Sequence, residues 1–275
     1  MDKLKVVRKT FNYIYAICPF HDDHNPSLTI ALTGPFAGLW RCWACGKHGQ
    51  AVDLGIDFEI SPVTQTLQDW DELQKQYEAK SCYLTPEGVV EKWKLLAKEW
   101  GIQDKPLIVL GCGWDEKAYT FPMRNENRQI IGIQRRFPNG RKVCVEGSRL
   151  GLFIPNVPFH ICLNFDMWLI TEGVSDCAVA LDMGFFAIGR PSCNTGDKLI
   201  QKWLNNCWQK PNKMLIVADN DEVGILGATR LKETLWETGR NCDIFIPPAK
   251  DLRQAVHDYG KIEISNIIKN IGGTK

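Results

Sequence analysis

Trp168-Leu-Ile-Thr-Glu172-Gly173, Leu215-Ile-Val-Ala-Asp219-Asn-Asp221 and Ile244-Phe-Ile-Pro-Pro-Ala-Lys250-Asp251 share one plan: a short apolar run that stops at a carboxylate. Apolar runs this short, bounded by polar or Gly/Pro residues, read as buried strands. The stretches between them, 175–183, 197–208 and 222–238, are long enough for helices, so the C-terminal half alternates strand and helix. That alternation means a parallel sheet covered by helices, an α/β arrangement. Ligands of such sheets gather beyond the carboxyl ends of the strands, where Glu172, Asp219, Asp221 and Asp251 stand. Carboxylates about 4 Å apart repel by roughly 1 kcal/mol in water and about 4 kcal/mol at an effective dielectric of 20, and a divalent cation removes that cost. Oxygen-only donors suit Mg²⁺ or Mn²⁺ shared with substrate phosphates, which points to phosphoryl-transfer chemistry. An acid after a strand can equally cap the next helix; three in register, one doubled as Asp-x-Asp, favour the metal.

Upstream of this half, Leu107 to Cys112, Ala118 to Met123 and Ile130 to Arg136 read as strands. Before them, Thr85-Pro86 reads as a helix start, with Val89, Trp93, Leu96 and Trp100 along one face. The strands carry a basic cluster: Arg124, Arg128, Arg135, Arg136, Arg141, Lys142 and Arg149, seven cations against only Glu126 and Glu146. The whole chain is nearly neutral, at +1, so any polyanion must meet a local patch, and this is the patch. Arginine forks suit phosphate oxygens, so Arg135, Arg136, Arg141 and Lys142 are candidates for nucleotide or template contact, against the alternative of a solvated charged face.

Near the N-terminus, Cys18-Pro-Phe-His21 and Cys42-Trp-Ala-Cys45 are two x2-spaced pairs, the spacing of a tetrahedral Cys₃His zinc site built on two turns. Leu28, Ile30 and Leu32 alternate with Thr29, Ala31 and Thr33, Gly34-Pro35 interrupts, and Leu39-Trp40-Arg41 begins again, a hairpin that returns the second turn to the first. Four protein ligands leave no open position, so one structural Zn²⁺ is expected, replacing the core that about 55 residues cannot build alone. His24 and His48 are spare. Trp40, Arg41, Trp43 and Lys47 surround the second turn; the tryptophans either stack on single-stranded bases or fill the small core.

The chain has 275 residues, enough for about two domains, with 44% hydrophobic and 24% charged residues, which excludes intrinsic disorder. No apolar run approaches the roughly 18 residues of a membrane span, and the first residues lack the apolar core of a signal peptide. Eleven cysteines, an odd number without a secretory signal, argue against a disulfide framework and for a cytoplasmic location. From about Ser61 to Ser81 the sequence is polar and glutamine-rich and reads as a connector, partly helical.

Taken together, the Cys18/His21/Cys42/Cys45 knot, Glu172-Gly173 and Asp219-Asn-Asp221-Glu-Val-Gly224 resemble the zinc-binding and TOPRIM parts of DnaG-type primases, and among these the primase half of the phage helicase-primases. Ile131-Gly-Ile-Gln-Arg-Arg136 and Gly147-Ser-Arg-Leu-Gly-Leu-Phe153 resemble the basic subdomain that precedes TOPRIM there. The resemblance implies a zinc ribbon at 1–58, a linker at 59–82, a mixed α+β basic subdomain at 83–160 and a TOPRIM parallel sheet at 161–275. It implies a DNA primase making short RNA on single-stranded DNA from ribonucleoside triphosphates. Glu172 would be general acid/base and metal ligand, and Asp219, Asp221 and Asp251 would complete the Mg²⁺ pocket, with Asp176 steadying a helix start. Arg135, Arg136, Arg141, Lys142 and Arg149 would contact phosphates. Trp40 and Trp43 belong to the template-reading zinc module.

Two departures accompany the resemblance. Leu252-Arg253-Gln254 follows Asp251 where the family usually has further acidic or amide residues, which puts a fourth acidic position in doubt. No Gly-x-x-x-x-Gly-Lys-Ser/Thr loop occurs, so a helicase acting in trans, or a template already single-stranded, is expected. The alternatives are a zinc/TOPRIM recombination mediator that binds DNA without catalysis, and a TOPRIM metal-dependent nuclease.

Overall fold

Alternation of apolar and polar residues in the first 55 positions produces a five-stranded antiparallel meander, β1 (Val6–Lys9), β2 (Tyr13–Ala16), β3 (Leu28–Ala31), β4 (Leu39–Cys42) and β5 (His48–Gln50), in the order β1-β2-β3-β4-β5. The computed structural model describes residues 4–10, 13–32, 38–55, 68–86, 88–162, 164–207 and 211–271, and the chain divides into two units, Met1–Gln68 and Asp69–Lys275. The hairpin expected from the alternation is β3 paired with β4, Ile30 opposite Trp40; its Gly34-Pro35 turn lies outside the described residues. The core of this unit is Ile14, Ala16, Leu28, Ile30, Trp40 and Ala51 together with Cys18 and Cys42. So few apolar side chains leave the sulfurs, and what they hold, to complete the fold.

The second unit opens with α1 (Trp70–Lys80), capped by Asp69, whose carboxylate accepts the Glu72 N–H at 3.0 Å. The connector expected over 59–82 therefore ends before Asp69. Buried Gln74 donates to Gly111 O at 2.6 Å and ties the helix to this unit, and residues 59–67 lie outside the described residues. The helix expected from Thr85 begins later: β6 (Cys82–Thr85) and β7 (Gly88–Glu91) form a hairpin, and α2 spans Lys92–Trp100. Gly88, at φ 130°, supplies the turn, and Val89 is exposed on its strand. The strand expected at Leu107 to Cys112 is instead the short helix α3 (Lys105–Val109), begun by Asp104 with Pro106 in its first turn.

A four-stranded antiparallel sheet follows, β8 (Gly113–Trp114), β9 (Tyr119–Arg124), β10 (Ile130–Arg136) and β11 (Lys142–Cys144), in the order β11-β10-β9-β8. After α4 (Phe159–Cys162) the expected alternation appears: β12 (Met167–Glu172), α5 (Gly173–Asp182), β13 (Phe186–Arg190), α6 (Asp197–Asn206), β14 (Lys213–Val217), α7 (Glu222–Trp236), β15 (Asp243–Phe245), α8 (Leu252–Tyr259) and α9 (Lys261–Ile271). Its strands are parallel, ordered β13-β12-β14-β15. Leu169, Ala187, Leu215 and Val217 pack against α5, α8 and α9 through Val174, Cys177, Leu252 and Ile264. Trp168, Ile170, Ile188 and Ile216 pack on the other face against α6 and α7 through Ile200, Trp203, Ala228 and Leu231. The chain runs from β12 outward to β13 and returns on the other side to β14, so the strand order reverses between β12 and β14. The crevice at their carboxyl ends is the place where such sheets take ligands. No helix among the described residues is long and apolar enough to cross a membrane.

Candidate active site and metal centres

Cys18, His21, Cys42 and Cys45 come together: one ligand atom from each lies within 4.8 Å of the others, the one such set of Cys, His, Asp or Glu among the described residues. β3 and β4 carry Cys42 back opposite Leu28, and the Cys42–Cys45 turn closes with Gly46 N–H on Cys42 O at 3.1 Å. His21 turns Nδ1 to Cys42 Sγ at 4.0 Å and Nε2 to Asp23 Oδ1 at 3.8 Å, the orientation in which a carboxylate steadies a metal-binding imidazole. Asp23 Oδ2 also accepts the Cys18 N–H at 2.7 Å and the Ser27 hydroxyl at 2.6 Å, and these bonds, Ser27 first, pull its carboxyl down to about 2. Burial works against the Cys42 thiolate, but the Cys45 N–H, the Ser27 hydroxyl and the Ala44 N–H pull it down to about 6. Burial pushes Cys18 up to about 11, helped by the neighbouring sulfurs, a repulsion that a bound cation relieves. The donor set fits a structural Zn²⁺. Asp23 and Ser27 organise it, and only the nearness of Asp23 to His21 in sequence could have indicated them. His24 and His48 are exposed, as expected of spare histidines.

The two tryptophans divide between the alternatives. Trp40, 5% exposed, stacks on Phe20 at 5.0 Å in the core, which removes it from the candidate base-stacking residues. Trp43 is 68% exposed, donates Nε1–H to Thr29 Oγ1 at 2.9 Å, and carries the Arg41 guanidinium 4.8 Å over its ring. Strand register sets Arg8 beside Tyr15, Tyr15 beside Thr29, Thr29 beside Arg41 and Arg41 beside His48, a polar and aromatic row across the sheet. Arg8 and Tyr15, 4.4 Å from guanidinium carbon to ring centre, were not visible as members of this face without the register.

In the second unit, Glu172 ends β12 and Asp219 lies two residues beyond β14. Gly173, at φ 75°, turns the chain sharply from strand into α5, and a Cβ on Gly224 would lie 2.6 Å from Asp219 O, so both glycines are required by the close backbone at the crevice. Asn220 N–H on Lys250 O at 2.8 Å and Ala218 N–H on Phe245 O at 3.0 Å draw the Asp219–Asp221 loop and the loop before Asp251 together. Asp221 and Asp251 cap α7 and α8, accepting the Gly224 and Gln254 N–H groups at 2.7 Å each. Glu172 does not cap: it stands at the start of α5 with no cap hydrogen bond, and its Oε2 is buried without a partner. Burial, then the charges of Glu172, Asp251 and Asp221, push Asp219 up to about 6, against the pull of Lys142. Asp176, 3% exposed on α5, is pushed up to about 8 by burial and then by Asp251 and Asp219. It accepts the Arg253 N–H at 3.2 Å and so ties the start of α8 to its own helix, α5. The acids sense one another's charge without forming a set as close as the zinc ligands. Oxygen donors at a crevice, one of them buried and unsatisfied, fit a hard divalent cation.

The basic cluster is sorted by strand alternation. Arg136 pairs in register with Lys142, and Lys142 Nζ lies 3.8 Å from where a Cβ on Gly173 would be, beside the acids. Arg135, on the opposite face, bonds Asp115, so one of the cations read as lacking acidic neighbours has one from β8's side of the sheet. Arg124 and Arg128 are spent on carbonyls: Arg124 donates to Arg128 O at 2.9 Å, and Arg128 to Pro155 O and Val157 O at 2.9 and 2.7 Å. Arg141 is exposed and lies 4.4 Å over the Phe137 ring; Arg149 is exposed in the loop after β11.

Residues 1–80 match the CHC2 zinc finger family of DnaG. A DNA primase of Salmonella typhimurium is 30% identical over 67 residues, 24% of this chain and 11% of the relative. A DNA primase of Rickettsia conorii is 21% identical over an alignment covering 83% of this chain and 48% of the relative. The chain thus spans between about a tenth and about half of the length of these curated relatives. The crystal structure of the Aquifex aeolicus primase, zinc-binding and RNA polymerase domains, superimposes with a TM-score of 0.56 at 16% identity, covering 96% of this chain and 80% of that one. The chain therefore carries a CHC2 zinc finger of the DnaG type, and its fold is that of the zinc-binding and RNA polymerase domains of DnaG-type primases.

Proposed function

We propose that the protein is a DNA primase that makes short RNA primers on single-stranded DNA by nucleotidyl transfer dependent on Mg²⁺ or Mn²⁺. The observation that carries this reading is the buried, unpartnered Glu172 Oε2 at the crevice where Asp219 is pushed up to about 6 by burial and by Glu172, Asp251 and Asp221. Glu172, Asp219 and Asp221 would hold a divalent cation there, which would offset the negative charge that develops in an in-line phosphoryl displacement.

In this reading Asp219 offers its carboxylate, and Asp221 offers Oδ2, since Gly224 N–H occupies Oδ1. Glu172 would hold the cation through Oε2, and its other carboxylate oxygen would take the proton of the attacking 3′ hydroxyl. Lys142, beside Gly173, and Arg136, in register with it, meet phosphate oxygens from the antiparallel sheet. The zinc unit offers Trp43 and Arg41 to a template base and phosphate, and the single-stranded template and a helicase supplied in trans belong to the same proposal. Residues 1–58 act as the zinc ribbon, 83–160 as the basic subdomain and 161–275 as the TOPRIM subdomain.

The test is incubation of the protein with single-stranded DNA of mixed sequence, Mg²⁺ and labelled ribonucleotides. Short labelled oligomers that disappear in Asp219→Ala and Asp221→Ala are expected. Cleaved template without synthesis would assign a nuclease instead, and retarded template alone a binding protein.

A further inference from the structure

Two guanidinium groups beside the carboxylate crevice have no carboxylate of their own. Arg253 lies in the first turn of α8; its backbone N–H is fixed by Asp176 Oδ1 at 3.2 Å, while its side-chain Nε is buried with no hydrogen-bond partner. Arg136 leaves the end of β10 half-buried, 5.0 Å over the Trp100 ring. Among the described residues, neither makes an ion pair. After burial, the charge of Arg253 is the foremost influence holding Arg136 below the usual arginine range, against the opposing pulls of Glu99, Asp176 and Asp251. Arg136 stands in register with Lys142, whose Nζ lies 3.8 Å from where a Cβ on Gly173 would be, and Arg253 N–H bonds Asp176 in the first turn of the helix that Gly173 begins, so both arginines flank the start of α5.

Like charges held together, one of them with a buried donor unused, are unfavourable in the free protein. An anion set between them removes both penalties, and the planar guanidinium matches phosphate oxygens two at a time. The site adjoins Asp251, whose charge repels a bare phosphodiester. A nucleoside triphosphate arrives with its own divalent cation and meets acids and arginines together.

We propose that Arg253 and Arg136 form a phosphate clamp for the triphosphate tail of the incoming nucleotide, with Arg253 a phosphate-binding residue in addition to Lys142. The clamp rests on the reading of the crevice as a nucleotidyl-transfer site, and it is tested by binding rather than by synthesis.

The experiment is calorimetric titration of the full chain, in Mg²⁺, with non-hydrolysable analogues of the four ribonucleoside triphosphates, alongside fluorescence anisotropy of a labelled single-stranded DNA. Arg253→Gln is expected to weaken nucleotide binding about tenfold, with Arg253→Lys intermediate and DNA affinity unchanged. Arg136→Gln combined with Arg253→Gln should weaken binding by less than the product of the two single effects, since both hold one anion. Nucleotide binding by Arg253→Gln equal to wild type overturns the clamp, as does an equal loss of DNA and nucleotide affinity, which would make it a backbone site. Thermal melting of both Arg253 variants excludes misfolding as the cause. Primer synthesis lost in Asp219→Ala with unaltered nucleotide affinity in Arg253→Gln would leave the primase reading intact while removing the clamp. Nucleotide affinity lost in Arg253→Gln from a wild-type protein that makes no primers would do the reverse.

Discussion

Arg135 and Arg136 are adjacent in β10 and lie on opposite faces of it: Arg135 bonds Asp115, whereas Arg136 lies over the Trp100 ring. Asp115 is almost fully buried and also accepts the Lys117 and Ala118 N–H groups at 3.0 and 2.7 Å, so Arg135 completes a structural knot. Strand periodicity thus separates an arginine bonded to Asp115 from one that lies over Trp100 within a single dipeptide.

The two should respond differently to the same substitution. Arg135→Gln leaves Asp115 without its cation and is expected to lower the stability of the second unit by about 1–3 kcal/mol in a denaturant titration. Arg136→Gln should not lower the midpoint and should raise the KM for nucleotides about tenfold. The reverse pattern would mean that the faces have been assigned the wrong way round.

Trp40 and Trp43 provide a second contrast. Trp40→Ala empties a core position stacked on Phe20 and should cost the zinc unit about 3–5 kcal/mol, read as loss of cooperative melting. Trp43→Ala should keep zinc and fold but weaken single-stranded DNA binding about tenfold, the usual contribution of one stacked base.

Asp23 orients His21 and accepts two further hydrogen bonds at the zinc knot, at 2.7 and 2.6 Å. Asp23→Ala should reduce Zn²⁺ affinity about 10- to 100-fold in competition with a chelating dye. Removing the metal altogether should open residues 4–55 to hydrogen exchange and leave 69–271 protected.

Asp219 and Asp176 give the second unit a distinctive pH dependence. Their folded values, about 6 and about 8, lie above the ordinary carboxylate range, so the folded chain holds these protons more tightly than the unfolded one. Stability without divalent cations should therefore fall as pH rises from about 4 through 8, and Asp176→Asn should flatten the upper part of that slope. A cation binds the deprotonated form, so Mn²⁺ affinity should strengthen between pH 5 and 7, with proton release detectable in buffers of different ionisation enthalpy. Affinity independent of pH would contradict the placement of Asp219 in the cation site.

Much of this was readable in the residues, for physical reasons. The strands of the C-terminal sheet are buried on both faces and so appear as apolar runs, and carboxylates at their ends follow from the topology of parallel sheets. The zinc ligands were readable because two x2-spaced pairs have few other uses. What escaped had a weak one-dimensional signature or none. α1 has only a short stripe, Trp70, Leu73 and Tyr77, half-buried beside buried Gln74 in an otherwise polar, glutamine-rich stretch, and so looked like linker. Leu107-Ile-Val-Leu110 has the apolar content of a strand, and only Asp104 and Pro106 before it announced a helix. A count of cations could not say that Arg124 and Arg128 donate to carbonyls, and Arg253 showed only as a departure from an acidic pattern.

The central claim is that Glu172 and Asp219, from β12 and from beyond β14, hold one divalent cation between them. Titration of Mn²⁺ into the protein, followed by electron paramagnetic resonance of the free ion, measures this without reference to any substrate. The account predicts a site in the second unit whose affinity falls at least tenfold in Glu172→Gln and in Asp219→Asn alike. Full Mn²⁺ affinity retained in Glu172→Gln would contradict it.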